Sequence, residues 1–464
     1  MDNISTSRWQ INRRDEIVSW LLLIFVISSF CIHYYTYLLR SYVLYAGVVA
    51  VAAAGIFSLC WKRFLNSVSS ICVLWYAAAV MICINILRTP FDINTYVDMV
   101  TFAAGCVMLG CCGRKKKTFD KAFYVIIAFA LYFAVTLWIQ VLLPEVYAGF
   151  VSKLPVAAGK YVYKLEEDGL GYTGFTINPG FTAAHMIAGI FVICAKLYVS
   201  KISGRKMAAG AVALAFLFLS VFMTGKRAPL LFLAITLVVM VFIPLDAKTR
   251  KKWLKIGGIS AVAFVVLALV FQNTIRMIPV FDRLFESVEA LISGEDVSSN
   301  RNKLYALAWK HAKENPFFGI GWNQYRKTVV GVITYINELD VHNIYLQMLC
   351  EIGFVGLLIV VVPMFTFCFA TFKAARFVSV RAGDKLGAWK MPLLFSVSYQ
   401  FYFLIYGFTE NPLYDHNYVL MYFFSCAITA AFLRAKEQAA CDALNTPKMR
   451  ILLQGFVKRL KKSH

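Results

Sequence analysis

Apolar runs of 18 residues or more recur along almost the whole chain. Each is long enough to cross a bilayer as a helix. This feature predicts an all-α polytopic membrane protein. Composition agrees: 60% of residues are hydrophobic and only 16% are charged, against about a quarter charged in soluble domains. Twelve transmembrane helices are expected, at 17–39, 42–60, 67–87, 94–112, 121–143, 179–199, 207–224, 228–245, 254–275, 343–372, 391–409 and 414–433. Together they make residues 1–464 a single integral membrane domain. The first run lacks a small-residue cleavage site and is followed by aromatics and Arg40. It is therefore expected to be the first span rather than a removable signal peptide. Of the 12 cysteines, nearly all lie within apolar runs, as at Cys31, Cys72, Cys106, Cys194, Cys368 and Cys426. They are expected to pack against helices or lipid rather than to form disulfides. No Cys-x-x-Cys or Cys/His cluster suggests a metal, and no cofactor is expected.

The formal charge of +22 invites a nucleic-acid reading, but its distribution argues for another cause. Sorting the 47 Lys and Arg by the twelve-span topology places 32 on the face that carries both termini and 15 on the other, and the 25 acidic residues fall 8 and 17. Basic residues in short loops stay on the cytoplasmic side. Both termini are therefore expected in the cytoplasm, and the basic loops face anionic lipid. No nucleic-acid partner is needed to explain the charge.

Two loops on the opposite, outer face are long. The first, 144–178, is rich in glycine and proline and is expected to fold without helix. The second, 276–342, is the longest polar excursion in the chain. Within it 279–292 carries an apolar stripe at helical spacing, and Asn300 to Lys313 places Leu304, Leu307, Ala308 and His311 on one side. Asn315-Pro316 should end that helix, and Gly319-Ile320-Gly321 should turn tightly. Amphipathic helices of this kind lie flat on a membrane surface. Residues 434–464 form a basic cytoplasmic tail.

Several residues break the pattern. Lys226 and Arg227 sit between two apolar spans with almost no loop, on the face poor in cations. A snorkelling flank is one reading. The other is an anion site at a helix N-terminus, with Pro229 in the first turn. Arg301 begins a helix, where a cation is unfavourable. It is either a solvated charge or a second anion-binding group. His342 lies at the mouth of the tenth expected span, beside the loop that carries Arg301. A histidine there is structural, or it takes a proton from a hydroxyl near neutral pH. Glu410, in the turn shared with Asp415, either makes a structural ion pair or acts as a base. The chain has no nucleotide-binding Gly-x-x-x-x-Gly-Lys-Ser/Thr, no Asp-x-Asp, no His-Glu-x-x-His and no Gly-x-Ser-x-Gly. Energy for chemistry on the outer face must therefore arrive with the substrate.

The string R-N-K-L-Y-A-L-A-W-K-H-A-K-E-N-P-F-F-G-I-G-W-N-Q-Y from Arg301, followed by H-N-I-Y-L-Q-M-L-C-E-I-G-F-V-G-L-L from His342, resembles the O-antigen ligase and polysaccharide polymerase family. G-K-R-A-P-L-L around Arg227 is similar to the family's other arginine motif, from which Thr224, Lys226 and Pro229 depart. The resemblance implies a GT-C-like membrane glycosyltransferase with a long external loop of amphipathic helices between spans 9 and 10. It implies an undecaprenyl-diphosphate-linked glycan donor on the outer leaflet, a hydroxyl acceptor, no metal, and inversion at the anomeric carbon. Carried across, Arg227 and Arg301 would hold the diphosphate and His342 would be catalytic, with Lys226, Asn343 and Glu410 in support. The expected activity is polymerisation of lipid-linked repeat units for a capsule, exopolysaccharide or O-antigen, in a pathway that also has a flippase and a chain-length regulator. The alternatives are ligase-type transfer to lipid A core or another surface acceptor, and a lipid-linked glycan flippase or transporter.

Overall fold

The computed structural model describes residues 14–31, 42–66, 70–90, 92–111, 115–153, 171–176, 178–199, 204–243, 251, 255, 276, 279–293, 301–333, 339–380 and 384–444. The expected ninth span, the acidic run of the first outer loop, Ser298 to Asn300 and the tail beyond 444 lie outside them. Helix α1 covers 14–31. It is followed by α2 (Tyr42–Asn66), α3 (Ser70–Leu87), α4 (Ile93–Cys111), α5 (Lys117–Leu142), α6 (Pro144–Val151), α7 (Pro179–Val199), α8 (Gly204–Met223) and α9 (Arg227–Phe242). Next come α10 (Pro279–Ser293), α11 (Arg301–Glu314), the short α12 (Tyr325–Val329), α13 (Ile344–Val380), α14 (Lys390–Tyr406) and α15 (His416–Leu444). Among the described residues the fold is all-helical.

Six of these helices are long and apolar enough to cross a membrane: α2, α5, α7, α8, α13 and α15, with α3, α4 and α9 shorter but apolar. Their burial divides them into layers. The spanning windows of α15 and α7 are 89% and 72% buried, whereas that of α8 is only 17% buried. A helix that is apolar all round can be enclosed by protein, while a peripheral one turns its apolar surface to lipid. α14 packs on α7, α9, α13 and α15, and α4 joins α15 to α2 and α3. α7, α14 and α15 thus form the inner layer. Aromatic edges seal it: Phe123 meets Phe395 at 5.3 Å, and Trp75 meets Phe423 at 4.9 Å.

Three sequence expectations need correction. The first outer loop is not helix-free, because Pro144 opens the eight-residue α6. Proline fits the first turn of a helix, where its missing N–H is not needed. The basic tail does not begin at 434. α15 runs on to Leu444, and Arg434 is 2% exposed, with its guanidinium donating to the Leu109 carbonyl. The tenth span is neither as short as 343–372 nor continuous: α13 extends to Val380 and is broken at Gly353 (φ 69°, ψ −177°).

That break positions the outer layer. The carbonyls of Cys350 and Glu351 accept from Ile320 (3.0 Å) and Gly321 (2.8 Å), and Phe354 N–H donates to the Pro316 carbonyl (2.8 Å). The N-P-F-F-G-I-G loop is therefore hydrogen-bonded into an opened turn of α13. Irregular backbone at membrane depth is tolerated only when protein groups satisfy it, and here they do. α11 lies over α13, burying Leu304 and Ala308 of the expected stripe together with Ala312, which was not part of it, while Leu307 and His311 are half-buried.

Candidate active site

Four stretches converge above the helix ends: the start of α9, the start of α11, the residues that enter α13, and the turn between α14 and α15. The turn is bound first. Ile344 N–H donates to the Gly407 carbonyl at 2.8 Å. Asn343 Oδ1 accepts from the N–H groups of Tyr345 (3.1 Å) and Leu346 (3.0 Å), and its Nδ2 donates to the Phe408 carbonyl (3.3 Å). Asn343 is thus the N-cap of α13, satisfying amides that the helix cannot. Its side chain ties the turn to the helix and does not bond His342.

His342 precedes this cap in a left-handed backbone conformation, φ 57°. For a residue with a Cβ this conformation costs roughly 1–2 kcal/mol, and such strain gathers at functional sites. The twist aims the imidazole at the turn, where His342 Nδ1 lies 2.8 Å from Glu410 Oε2. Arg301 NH2 donates to Glu410 Oε1 at 3.2 Å, and its NH1 to the Thr409 carbonyl at 2.6 Å. Arg301, Glu410 and His342, remote in sequence, form one contiguous cluster. All three are part-exposed, at 29%, 24% and 31% of the side chain for Arg301, Glu410 and His342, so the cluster is open to a ligand.

Burial alone would raise the Glu410 carboxyl. The hydrogen bond and charge of His342, then the charges of Arg301 and Lys226, outweigh it and hold the carboxyl below the ordinary 4.5. An ionised carboxylate only accepts, so Nδ1 of His342 carries a hydrogen toward Glu410, and in the neutral ring the nitrogen without one is Nε2. Because the unfolded chain then binds more protons than the folded one, this contribution to stability is complete above 4.5. It is lost as pH falls through the folded value. Thermal unfolding of the detergent-solubilised protein is expected to show that acid loss, and Glu410→Gln to lack it. Parallel pH curves for the two proteins would contradict the assignment.

The other expected cations arrive from the far side. Gly225 takes φ 65°, Lys226 is the N-cap residue of α9, and Arg227 its first residue. The preceding turn is fastened to the first outer loop by Tyr172 N–H donating to the Met223 carbonyl (3.2 Å). That loop is pinned by Gln140 Oε1, which accepts from Thr173 (2.9 Å) and Gly174 (2.8 Å). α9 packs on α14, with Phe232 against Tyr406 at 6.4 Å. The Lys226 side chain passes Gly180 at the start of α7, beside the Asn178 side chain that caps Gly180 N–H at 2.7 Å. Lys226 thus joins the cluster through its field at Glu410, with Arg227 one residue on.

Sequence reasoning missed the supports. Asp98, 4% exposed on α4, accepts from Trp322 Nε1 (2.9 Å) and bonds His416 Nδ1 (3.1 Å). It locks the loop before α12 to the start of α15. An acidic residue inside an apolar span was the available signal. Glu351, fully buried, accepts from the N–H groups of Asn323 (2.7 Å) and Tyr325 (3.1 Å). Arg326 and Asp340 form a two-pronged pair at 2.6 and 2.5 Å, fixing the residues that lead to His342. Burial opposes the charge of Asp340, and Arg326 overcomes it and lowers the carboxyl. Among the described residues no group of three or more His, Cys, Asp or Glu side chains could hold a metal ion.

Residues 183–361 match a family model described as O-antigen ligase. The match includes Lys226, Arg227, Arg301, His342 and Asn343, and ends before Glu410. A search of curated proteins finds no match to the chain.

Proposed function

We propose that this O-antigen ligase-family domain belongs to a membrane glycosyltransferase that polymerises undecaprenyl-diphosphate-linked oligosaccharide repeat units. The reaction takes place on the outer face of the bacterial cytoplasmic membrane, in a twelve-span, GT-C-like protein with both termini in the cytoplasm. The Arg301–Glu410–His342 cluster carries this reading. The acceptor hydroxyl gives its proton to His342 Nε2 while its oxygen bonds to the anomeric carbon. The bond from that carbon to the diphosphate oxygen breaks, and the lipid diphosphate leaves. Glu410 holds the imidazole tautomer and balances the imidazolium. Arg227 and Arg301, with Lys226, neutralise the charge that gathers on the leaving group, without a metal. A guanidinium has five N–H donors. Arg301 spends two of them on Thr409 and Glu410 and keeps the rest for phosphate. Asn343 and the αL backbone at 342 set the ring's direction.

The test is purified protein incubated with lipid-linked repeat units, scored for chain extension. Extension in wild type, with loss in Arg227→Ala of the ~10²-fold or more that follows from removing a charge-stabilising donor, supports the reading. Wild-type product length and yield from Arg227→Ala would overturn the diphosphate role. The family model's description favours a second reading, ligase-type transfer of finished glycan to lipid A core or another surface acceptor. Transfer to such an acceptor without extension selects it.

A further inference from the structure

The turn that joins α3 to α4 carries Arg88, Thr89 and Pro90. It faces the I-G-W-N-Q turn and α12 across an open cavity of about 240 Å³, lined by Arg88, Thr89, Gly321, Gln324, Lys327 and Thr328 among others. Among the described residues no carboxylate lines it, and neither Arg88 nor Lys327 pairs with an acid. The contrast with the adjacent residue is sharp, since Arg326 is neutralised by Asp340. α12 thus satisfies one cation and leaves its neighbour facing a gap. A concavity lined by one sign of charge concentrates the opposite ion.

The walls are fixed rather than loose. Asn85 Oδ1 accepts from Trp322 N–H at 2.6 Å, and Asn85 Nδ2 donates to the Phe318 carbonyl at 3.4 Å. Gly321 N–H is held by the Glu351 carbonyl. These bonds set the distance between the two sides, and a preformed site binds without an ordering cost. Arg88 also lies 5.9 Å from the Phe318 ring centroid, and that ring is 62% exposed.

We infer that this cavity is a saccharide subsite for an anionic sugar, a ring that bears a carboxylate or a phosphate. It rests on the glycan-transfer reading above and names the substrate class for it. The volume is below the roughly 300–1,000 Å³ of pockets for drug-sized ligands and suits one ring. Two cations meet the acid group, Thr89, Gln324 and Thr328 offer partners to hydroxyls, and Pro90 and Ile320 give apolar contact to the ring's C–H side.

The test uses the full-length protein in phosphatidylcholine nanodiscs, titrated calorimetrically with a glucuronate-containing disaccharide, with glucose 1-phosphate, and with a neutral disaccharide. The acidic ligands are expected to bind at least ~10-fold more tightly, the scale of charge-assisted hydrogen bonds. Salt should erode the preference, Arg88→Ala/Lys327→Ala should abolish it, and Arg88→Lys/Lys327→Arg should retain it. Equal binding of neutral and acidic sugars, or a preference that survives the double alanine variant, overturns the subsite. So does loss of saccharide binding in phosphatidylglycerol nanodiscs, which would reassign the cavity to a lipid headgroup. Acidic-sugar binding by a protein that transfers no lipid-linked glycan would remove the transfer reading and leave the subsite standing. Intact transfer with no such binding would do the reverse.

Discussion

Glu410→Gln is expected to lower glycan transfer by about 10²–10⁴-fold, the usual contribution of a positioned acid–base group, with membrane insertion unchanged. The substitution keeps the side chain's size and one acceptor oxygen. It removes the negative charge that fixes the proton on His342 Nδ1 at 2.8 Å and balances the ring when Nε2 takes a proton. The amide can also present its NH₂ to Nδ1, which favours the wrong tautomer. Arg301 loses its ionic partner as well but keeps the Thr409 carbonyl at 2.6 Å, so the anion-binding side should survive. The expected split is therefore a fall in kcat with donor KM little changed. His342→Ala should cost a similar factor, and the double variant little more than either alone, because groups that act as a unit are not additive. The measurement is initial rate of chain extension at saturating lipid-linked donor. A Glu410→Gln rate within a few-fold of wild type would leave the carboxylate a structural ion pair only.

The split between what the sequence reveals and what it hides follows from length scale. Helices α10 and α11 were legible because an apolar stripe at helical spacing is a local property. Arg227, Arg301 and His342 stood out because the charge sorting expects them on a nearly neutral face, where cations and imidazole need a reason to be there. Their company was not legible. Glu410 was read from its turn as a pairing or basic carboxylate, but it is 109 residues from Arg301 and 68 from His342, and nothing local says which arginine and which histidine it joins. Asn343 reads as a motif neighbour of His342, yet its side chain is occupied in capping α13. Asp98 and Asn85 were visible as polar residues in apolar spans, but their partner Trp322 lies in a loop more than 200 residues later. The break in α13 is hidden for a different reason. A glycine within an apolar run is compatible with an unbroken span, and only the incoming loop decides that the helix must open.

Gly353→Ala is expected to be strongly destabilising for a substitution of its size. At φ 69° and ψ −177°, Gly353 occupies backbone space that is essentially closed to other residues, with a cost of roughly 1–3 kcal/mol. A Cβ there would sit 2.3 Å from the Phe317 carbonyl carbon and oxygen and 2.4 Å from Phe318 N. Those are backbone atoms, so no rotamer change relieves the overlap. Either the loop withdraws or the break closes, and each forfeits the bonds from Ile320, Gly321 and Phe354. The sum belongs with the exceptional single-residue losses of about 4–5 kcal/mol or more. Gly319 meets the same junction from the other side, with φ 66° and a Cβ that would lie 2.2 Å from the Glu351 carbonyl carbon. Gly319→Ala should therefore be comparably damaging, and the pair less than additive, since each destroys the same contact. Gly47, on the exposed side of α2, is the control. It has an ordinary φ and open space around it, so Gly47→Ala should be neutral or stabilise by about 0.5–1 kcal/mol. Thermal unfolding in detergent, with chain extension assayed below each midpoint, reads both effects. Equal midpoints for Gly353→Ala and Gly47→Ala would show that the loop and the helix break do not depend on one another. The displaced loop also carries Trp322 and leads through α12 to Asp340, so activity in Gly353→Ala should fall even where the protein remains folded.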